Sequence, residues 1–300
     1  MRITQRSVAL TSLQGLNSNL AALNKLQQQL TSGKTISKPS DDPTGTNTSM
    51  ITRQGIASVT QQARNISDGQ TFLDSSDSTL QDMLSQVLRV RDLTVQGLNT
   101  GAQDTASQNA IATEVGGVRE SLIGQANQVV QGRPLFGGVT SGSKAYNTDG
   151  TYAGIGGDGV VAVQPITRQV SDVEKIRVDI TGPEAFGQPS SGKDLFSVVQ
   201  NIHDHVGDAT ALTSDLADLD NVIDGLKTAV ADIGTRQARM ETAASVNSQQ
   251  SLTLQAQLDN TENIDMPKTI MNLQMQQVGY QAALSATAQS LQPTLVDFLK

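Results

Sequence analysis

Leu13, Leu16, Leu20, Leu23, Gln27 and Leu30 follow one another at alternating steps of three and four residues. A spacing that averages about 3.5 lays one narrow apolar stripe along a helix and demands a second striped helix to cover it. The stripe predicts a first helix over about Thr4–Thr31. Its other faces are Gln, Asn, Ser and Lys, and an isolated helix of that kind is marginal in water. The same spacing governs the far end of the chain. Leu216, Leu219, Ile223, Leu226, Val230, Ile233, Gln237, Met240, Ala244, Asn247, Ser251, Leu254 and Leu258 keep it without interruption. The polar Gln237, Asn247 and Ser251 weaken the middle of that seam and can fix its register. Asp265 and Pro267 then open a last helix, whose seam uses Ile270, Leu273, Gln277, Tyr280, Leu284, Leu291 and Phe298, with Pro293 disturbing its final turns.

Gly33 ends the first helix, and Pro39 and Pro43 punctuate the connection to the second. Asp42-Pro43 is a helix-start signal, because Asp can cap free N–H groups and Pro fits the first turn. A second helix reaches about Asn99, with Val59, Ile66, Leu73, Leu80 and Val87 recurring every seventh residue; Gly55 and Gly69 argue against its continuity. A third covers about Thr105–Gln131, burying Ile111, Val115, Val118, Leu122, Ala126 and Val129, until Gly132 and Pro134 stop it.

From about 137 to 192 the helical period disappears and glycine becomes dense. Gly159–Val170 is rich in Val and Ile. Ile176, Val178 and Ile180 alternate with Arg177 and Asp179, as a strand with one buried face does. Five of the chain's eight aromatics (Phe136, Tyr146, Tyr152, Phe186, Phe196) lie between 136 and 196, which predicts one compact piece inside a rod-like chain. Helix resumes near Asp194, with Leu195, Val198, Val199, Ile202 and Val206 on one face. The expected fold class is mainly α: a long antiparallel helical-rod, coiled-coil core formed by the N- and C-terminal segments, with a small β-rich inserted domain. The expected division is 1–42 with 262–300 as a terminal coiled-coil assembly domain, 43–137 with 193–261 as a helical rod, and 138–192 as a small outer domain.

A net charge of −8 gives a nucleic-acid role no electrostatic support. Residues 1–40 nevertheless carry Arg2, Arg6, Lys25, Lys34 and Lys38 and no acid, while 193–261 is strongly acidic. The absence of cysteine removes disulfides, thiol nucleophiles and Cys metal sites. The longest purely apolar run near the start is Val8-Ala9-Leu10, so neither a signal peptide's apolar region nor membrane insertion is expected.

Gly154, Gly156 and Gly159 match a dinucleotide-binding spacing, but a Val-rich run comes after them where a helix is required, so turns are the expectation. Asn147, Asp149 and Asp158 lack the closing Glu of a calcium loop. His203 and His205, two apart on a helix, point to different sides and cannot chelate one metal well. Asp215, Asp218, Asp220 and Asp224 are expected on a solvated helix face. No catalytic, cofactor-binding or metal-ligating residue is assigned, and no enzyme is expected. A dinucleotide-dependent oxidoreductase and a scaffold of another system stand as rivals.

Several segments, in order along both terminal thirds, resemble the flagellin superfamily. Leu30-Thr-Ser-Gly-Lys-Thr-Ile-Ser-Lys-Pro-Ser-Asp-Asp-Pro43 resembles its signature loop, and Ala63-Arg-Asn-Ile-Ser-Asp-Gly69 and Leu88-Arg-Val-Arg-Asp-Leu-Thr-Val-Gln96 its second helical region. Ile233-Gly-Thr-Arg-Gln-Ala-Arg-Met-Glu241 is similar to its C-terminal core helix, and Gly279–Leu299 to its closing helix. Gly132-Arg-Pro-Leu-Phe-Gly-Gly138 and Ser290-Leu-Gln-Pro-Thr-Leu-Val-Asp-Phe-Leu299 are closer to the superfamily's hook-filament junction branch than to filament flagellins. Gly97 and Pro293 depart from the common pattern. The resemblance implies a flagellar structural subunit, extracellular and exported through the flagellum's own type III apparatus without a cleaved signal peptide. The partners it implies are further copies of the chain, a neighbouring hook-associated protein, flagellin and an export chaperone. It also implies an assembly interface of Leu13, Leu16, Leu20, Leu23 and Leu30 with Ile270, Leu273, Tyr280, Leu284, Leu291 and Phe298. A filament flagellin remains the close alternative.

Overall fold

A computed structural model describes residues 5–99, 104–139, 142–154 and 164–290. Leu291, Phe298, Pro293, Gly156, Asp158 and Gly159 lie outside them. The described chain is mainly helical: α1 (Gln5–Ser32), α2 (Pro43–Leu98), α3 (Thr105–Ala126), α4 (Gly182–Phe186), α5 (Leu195–His205), α6 (Ala209–Glu262) and α7 (Met266–Ser290), with two small antiparallel hairpins. It divides into two compact units, one of residues 1–58 with 250–300, the other of 59–249.

The second unit holds the apolar core. Along α2, Val59, Ile66, Leu73, Leu80 and Val87 are buried, interleaved with Gln62, Ser76, Met83 and Val90 at three-four spacing. The matching seam of α6 buries Leu212, Leu219, Ile223, Leu226, Ile233, Met240 and Asn247. The two helices run antiparallel. Arg91 bonds to Asp220 at 2.7 Å, Gln237 donates to Asp74 at 2.9 Å, and Asn247 donates to the Val59 carbonyl at 3.0 Å.

Contrary to expectation, the glycines do not break α2, which is continuous through Gly55 and Gly69. Two glycines of the unit are instead the holes of the seam. A Cβ on Gly69 would lie 2.6 Å from the Met240 methyl and 3.1 Å from Val178, and one on Gly97 would lie 3.2 Å from Leu212. A large side chain from α6 occupies the space that each glycine leaves.

α3 ends at Ala126 rather than near Gln131, because the next residue is engaged elsewhere. The Asn127 side chain accepts from the Ala145 and Tyr146 amides, both at 2.8 Å, and donates to the Tyr146 carbonyl at 2.9 Å. It thus ties the helix end to the insertion. β1 (Val129–Val130) then turns back on β2 (Arg133–Pro134) through Gln131 and Gly132, both at positive φ (51° and 80°), the two-residue turn that suits an antiparallel hairpin.

The insertion is held less by strands than by rings. Tyr146 packs on Phe196, Tyr152 and Phe186 with centroids 4.6, 5.1 and 5.9 Å away, and Phe136 on Phe186 at 4.9 Å. The five aromatics noted in the sequence therefore form one cluster. β3 (Thr167–Gln169) and β4 (Lys175–Arg177) pair antiparallel; Ile176, Val178 and Ile180 are buried as their alternation predicts, but the strand ends at Arg177, and Asp179 is buried too, accepting from the Ile166 amide at 2.9 Å and pairing with Arg177. α5, capped by Asp194, packs on α3 with Leu195, Val198, Val199 and Ile202 buried.

Candidate assembly surface

The first unit is built differently. Among its described residues those fully buried are polar (Ser49, Thr52, Glu262 and Thr269), whereas every fully buried hydrophobic side chain belongs to the second unit. A helical pair with no fully buried apolar residue has little of the burial that stabilises a fold.

Within this unit α1 packs on α7. The half-buried row of α1 is Ser12, Leu16, Asn19, Leu23, Leu26 and Leu30, with Gln29 also half-buried beside its end; that of α7 is Leu273, Gln276, Tyr280, Ala283 and Thr287, continuing from buried Thr269. Both rows keep the three-four alternation, and Gln276 donates to the Asn19 side chain at 3.3 Å across the pair. The sequence stripe therefore splits. Leu16, Leu23 and Leu30 lie on the row that faces α7. Leu13 and Leu20, about a quarter-turn around the helix, are 54% and 41% exposed. On α7, Leu273 and Tyr280 are half-buried, while Ile270 and Leu284 are exposed.

The exposed face of α7 is apolar as well. Met271, Met275 and Val278 project from the side opposite Leu273, Gln276 and Tyr280. A surface helix ordinarily carries polar residues there, and a helix that is apolar on several sides is normally buried on several sides.

The connection from α1 to α2 is firmly tied. Gly33 takes φ 70° and donates to the Gln29 carbonyl at 2.8 Å, an αL cap that needs glycine. The next residues pair with the turn between α6 and α7: Thr35 donates to the Glu262 carbonyl at 2.6 Å, and Ile264 to the Gly33 carbonyl at 3.1 Å. The Asp42 carboxylate accepts from the Gly45 amide at 2.9 Å beside Pro43, the first residue of α2, and the Asp41 carboxylate accepts from the Lys38 amide at 3.0 Å.

Beneath this loop Glu262 accepts from Lys34 at 3.0 Å and Arg53 at 2.7 Å. Burial opposes its ionisation, but the hydrogen bonds from Arg53, Lys34 and Ser49 outweigh burial and hold the carboxyl below its ordinary value. Over 200 residues separate Glu262 from both cations, and no local motif in the sequence points to the cluster.

The chemical candidates resolve into structural roles. Asp215 is not on a solvated face: it is buried and bonded to His205 at 2.7 Å, which raises the imidazole pKa. Asp218, Asp220 and Asp224 pair with Lys193, Arg91 and Lys227. His203 bonds to Asp204, away from His205's partner. Asp149 closes a turn by accepting from the Thr151 amide at 2.9 Å. Burial pushes the Tyr152 phenol up to about 12, out of range for acid–base work near neutrality. Among the described residues no three His, Asp or Glu side chains are placed to hold a metal ion, and no helix is long and apolar enough to cross a membrane.

Comparison with known proteins accounts for this construction. Residues 3–140 match the bacterial flagellin N-terminal helical region and residues 216–299 the bacterial flagellin C-terminal helical region, together well over half of the chain. The flagellar hook-associated protein 3 of Salmonella typhimurium is 24% identical over 94% of this chain and 95% of its own length. The flagellin of Bacillus subtilis is 27% identical over 97% of each. Among solved structures, Bacillus cereus FlgL aligns with a TM-score of 0.59 at 24% identity, over 70% of this chain and 99% of its own. A putative flagellar hook-associated protein from Vibrio parahaemolyticus aligns at 0.64 and 18%, over 74% and 100%. These relatives are flagellar structural proteins, not enzymes. With its paired terminal helices and small inserted domain, the chain belongs to the flagellin family and has a structural role in the external flagellum.

Proposed function

We propose that the chain is the subunit that joins hook to filament, exported by the flagellar type III apparatus and assembled through its terminal helices. The observation that carries this is that no hydrophobic side chain among the first unit's described residues is fully buried, beside exposed Leu13, Leu20, Ile270, Met271, Met275 and Leu284. Neighbouring copies, a hook-associated protein on one side and flagellin on the other, would cover these residues. Leu16, Leu23, Leu273 and Tyr280 would hold the pair within a subunit. Residues 1–42 with 262–300 would form the assembly domain, 43–137 with 193–261 a stiff shaft, and 138–192 an outer domain. An export chaperone would shield the bare helices before assembly. Near-complete mutual coverage with hook-associated protein 3 and the small insertion support the junction assignment.

Full-length similarity to the Bacillus subtilis flagellin favours a second reading, in which the chain builds the filament itself. Copy number separates the two: few subunits per flagellum, confined to the hook-filament boundary, for a junction, and very many along the filament for a flagellin. Deleting residues 262–300 should leave the second unit folded and abolish joining. A truncated chain that still joins hooks to filaments would overturn the proposal.

A further inference from the structure

Among the described methionines, Met83 and Met240 are fully buried in the seam of the second unit, and Met50, Met266, Met271 and Met275 are exposed, the last two 58% and 68%. The latter two stand one helical turn apart on the side of α7 away from α1, next to exposed Val278. A surface helix has no folding reason to present thioethers to water.

We propose that Met271 and Met275 form an oxidant-sensitive modification site, and that conversion of their thioethers to sulfoxides by a peroxide disables the free subunit for assembly. The sulfur lone pair attacks the peroxide oxygen and the O–O bond breaks. Oxygen stays on sulfur, which is oxidised by two electrons, and the peroxide is reduced and leaves as water. The product is polar and chiral where the native side chain is apolar and flexible, so a face that must be covered by another apolar surface becomes one that water holds better. Cysteine is absent, so no thiol competes for the oxidant. A subunit already assembled would be protected, because its neighbours cover the same face. The inference rests on the proposed assembly role of α7.

The test uses the full-length chain and hydrogen peroxide. Assembly of the untreated chain onto flagella lacking their own copy is read first, and that result alone tests the assembly role. Peptide mass spectrometry then follows sulfoxide formation at each methionine. Met271 and Met275 are expected to oxidise at least about tenfold faster than Met83 and Met240 in the same molecules, and about tenfold more slowly once assembled. Oxidised chain should lose most of its assembly, and a Met271→Leu, Met275→Leu variant, read against its own untreated level, should lose none of it to the same treatment. Uniform oxidation of all four residues, or undiminished assembly of chain oxidised at both positions, would overturn the proposal.

Discussion

Glu262 ties three parts of the first unit together: the loop after α1, the start of α2 and the end of α6. Its carboxylate meets Lys34 and Arg53, its carbonyl receives Thr35, and the side chain is 5% exposed. Glu262→Gln keeps the shape and removes the charge. Both cations are about half exposed, so solvent screens part of the loss, and we expect a cost of about 1–2 kcal/mol in chemical denaturation. The pH dependence has a definite sign. Because the folded pKa is depressed, the carboxylate's contribution is complete above the unfolded value of about 4.5 and is lost as pH falls through the folded one. The difference between wild type and variant should therefore be constant near neutrality and vanish in strong acid. Glycine tests the seam of the second unit at the same scale. Gly69→Ala adds a methyl group against Met240 and the stiff Val178, so overpacking should cost about 1–2 kcal/mol despite alanine's better helix propensity. Gly117→Ala, on the exposed side of α3 with nothing within 4 Å, should stabilise by up to about 1 kcal/mol. Thermal unfolding of the pair reads both signs at once.

At the scale of the element, α1 has two apolar edges with different tasks. Leu23→Asp places a charge on the row facing α7 and should strip helicity from the isolated monomer. Leu20→Asp alters the outer edge and should leave monomer circular dichroism unchanged while abolishing assembly by sedimentation. Equal effects of the two on the monomer would mean that the edges are not distinct. This division was only half legible in the sequence. Leu13, Leu16, Leu20 and Leu23 form one broad apolar arc, and spacing alone does not tell which half a partner within the subunit covers. The seams of α2 and α6 were legible because each is covered along most of its length, so every seventh residue is buried and the period is strict. Gly55 and Gly69 misled because a glycine matched to a leucine or methionine on another helix has no local signature. The burial of Ile176, Val178 and Ile180 was legible as alternation, although only Lys175–Arg177 of that stretch pairs as a strand. Its aromatic packing was not, since Phe136 and Phe186 meet from fifty positions apart.

For the whole molecule, the uneven placement of buried apolar area sets an order of stability. The second unit joins a continuous core from Ile66 on α2 to Met240 on α6, with the rings of the insertion attached, and so should unfold cooperatively at several kcal/mol. The first unit has half-buried leucines, one buried carboxylate cluster and no fully buried hydrophobic residue among those described. Half-covered side chains at roughly 1 kcal/mol each supply little against the backbone entropy of ordering two helices of 28 and 25 residues. Hydrogen exchange on the dilute monomer should therefore show amides of Leu16–Leu26 and Leu273–Tyr280 exchanging at least about a hundredfold faster than those of Leu73–Val87. In the assembled flagellum the same terminal amides should slow to the rate of the seam, because the neighbours supply the apolar area that the subunit lacks. Stability would then be gained at the place of assembly rather than before it. Terminal amides as protected in the dilute monomer as those of Leu80 would show the first unit to be stable alone, and the exposed leucines and methionines would no longer account for polymerisation.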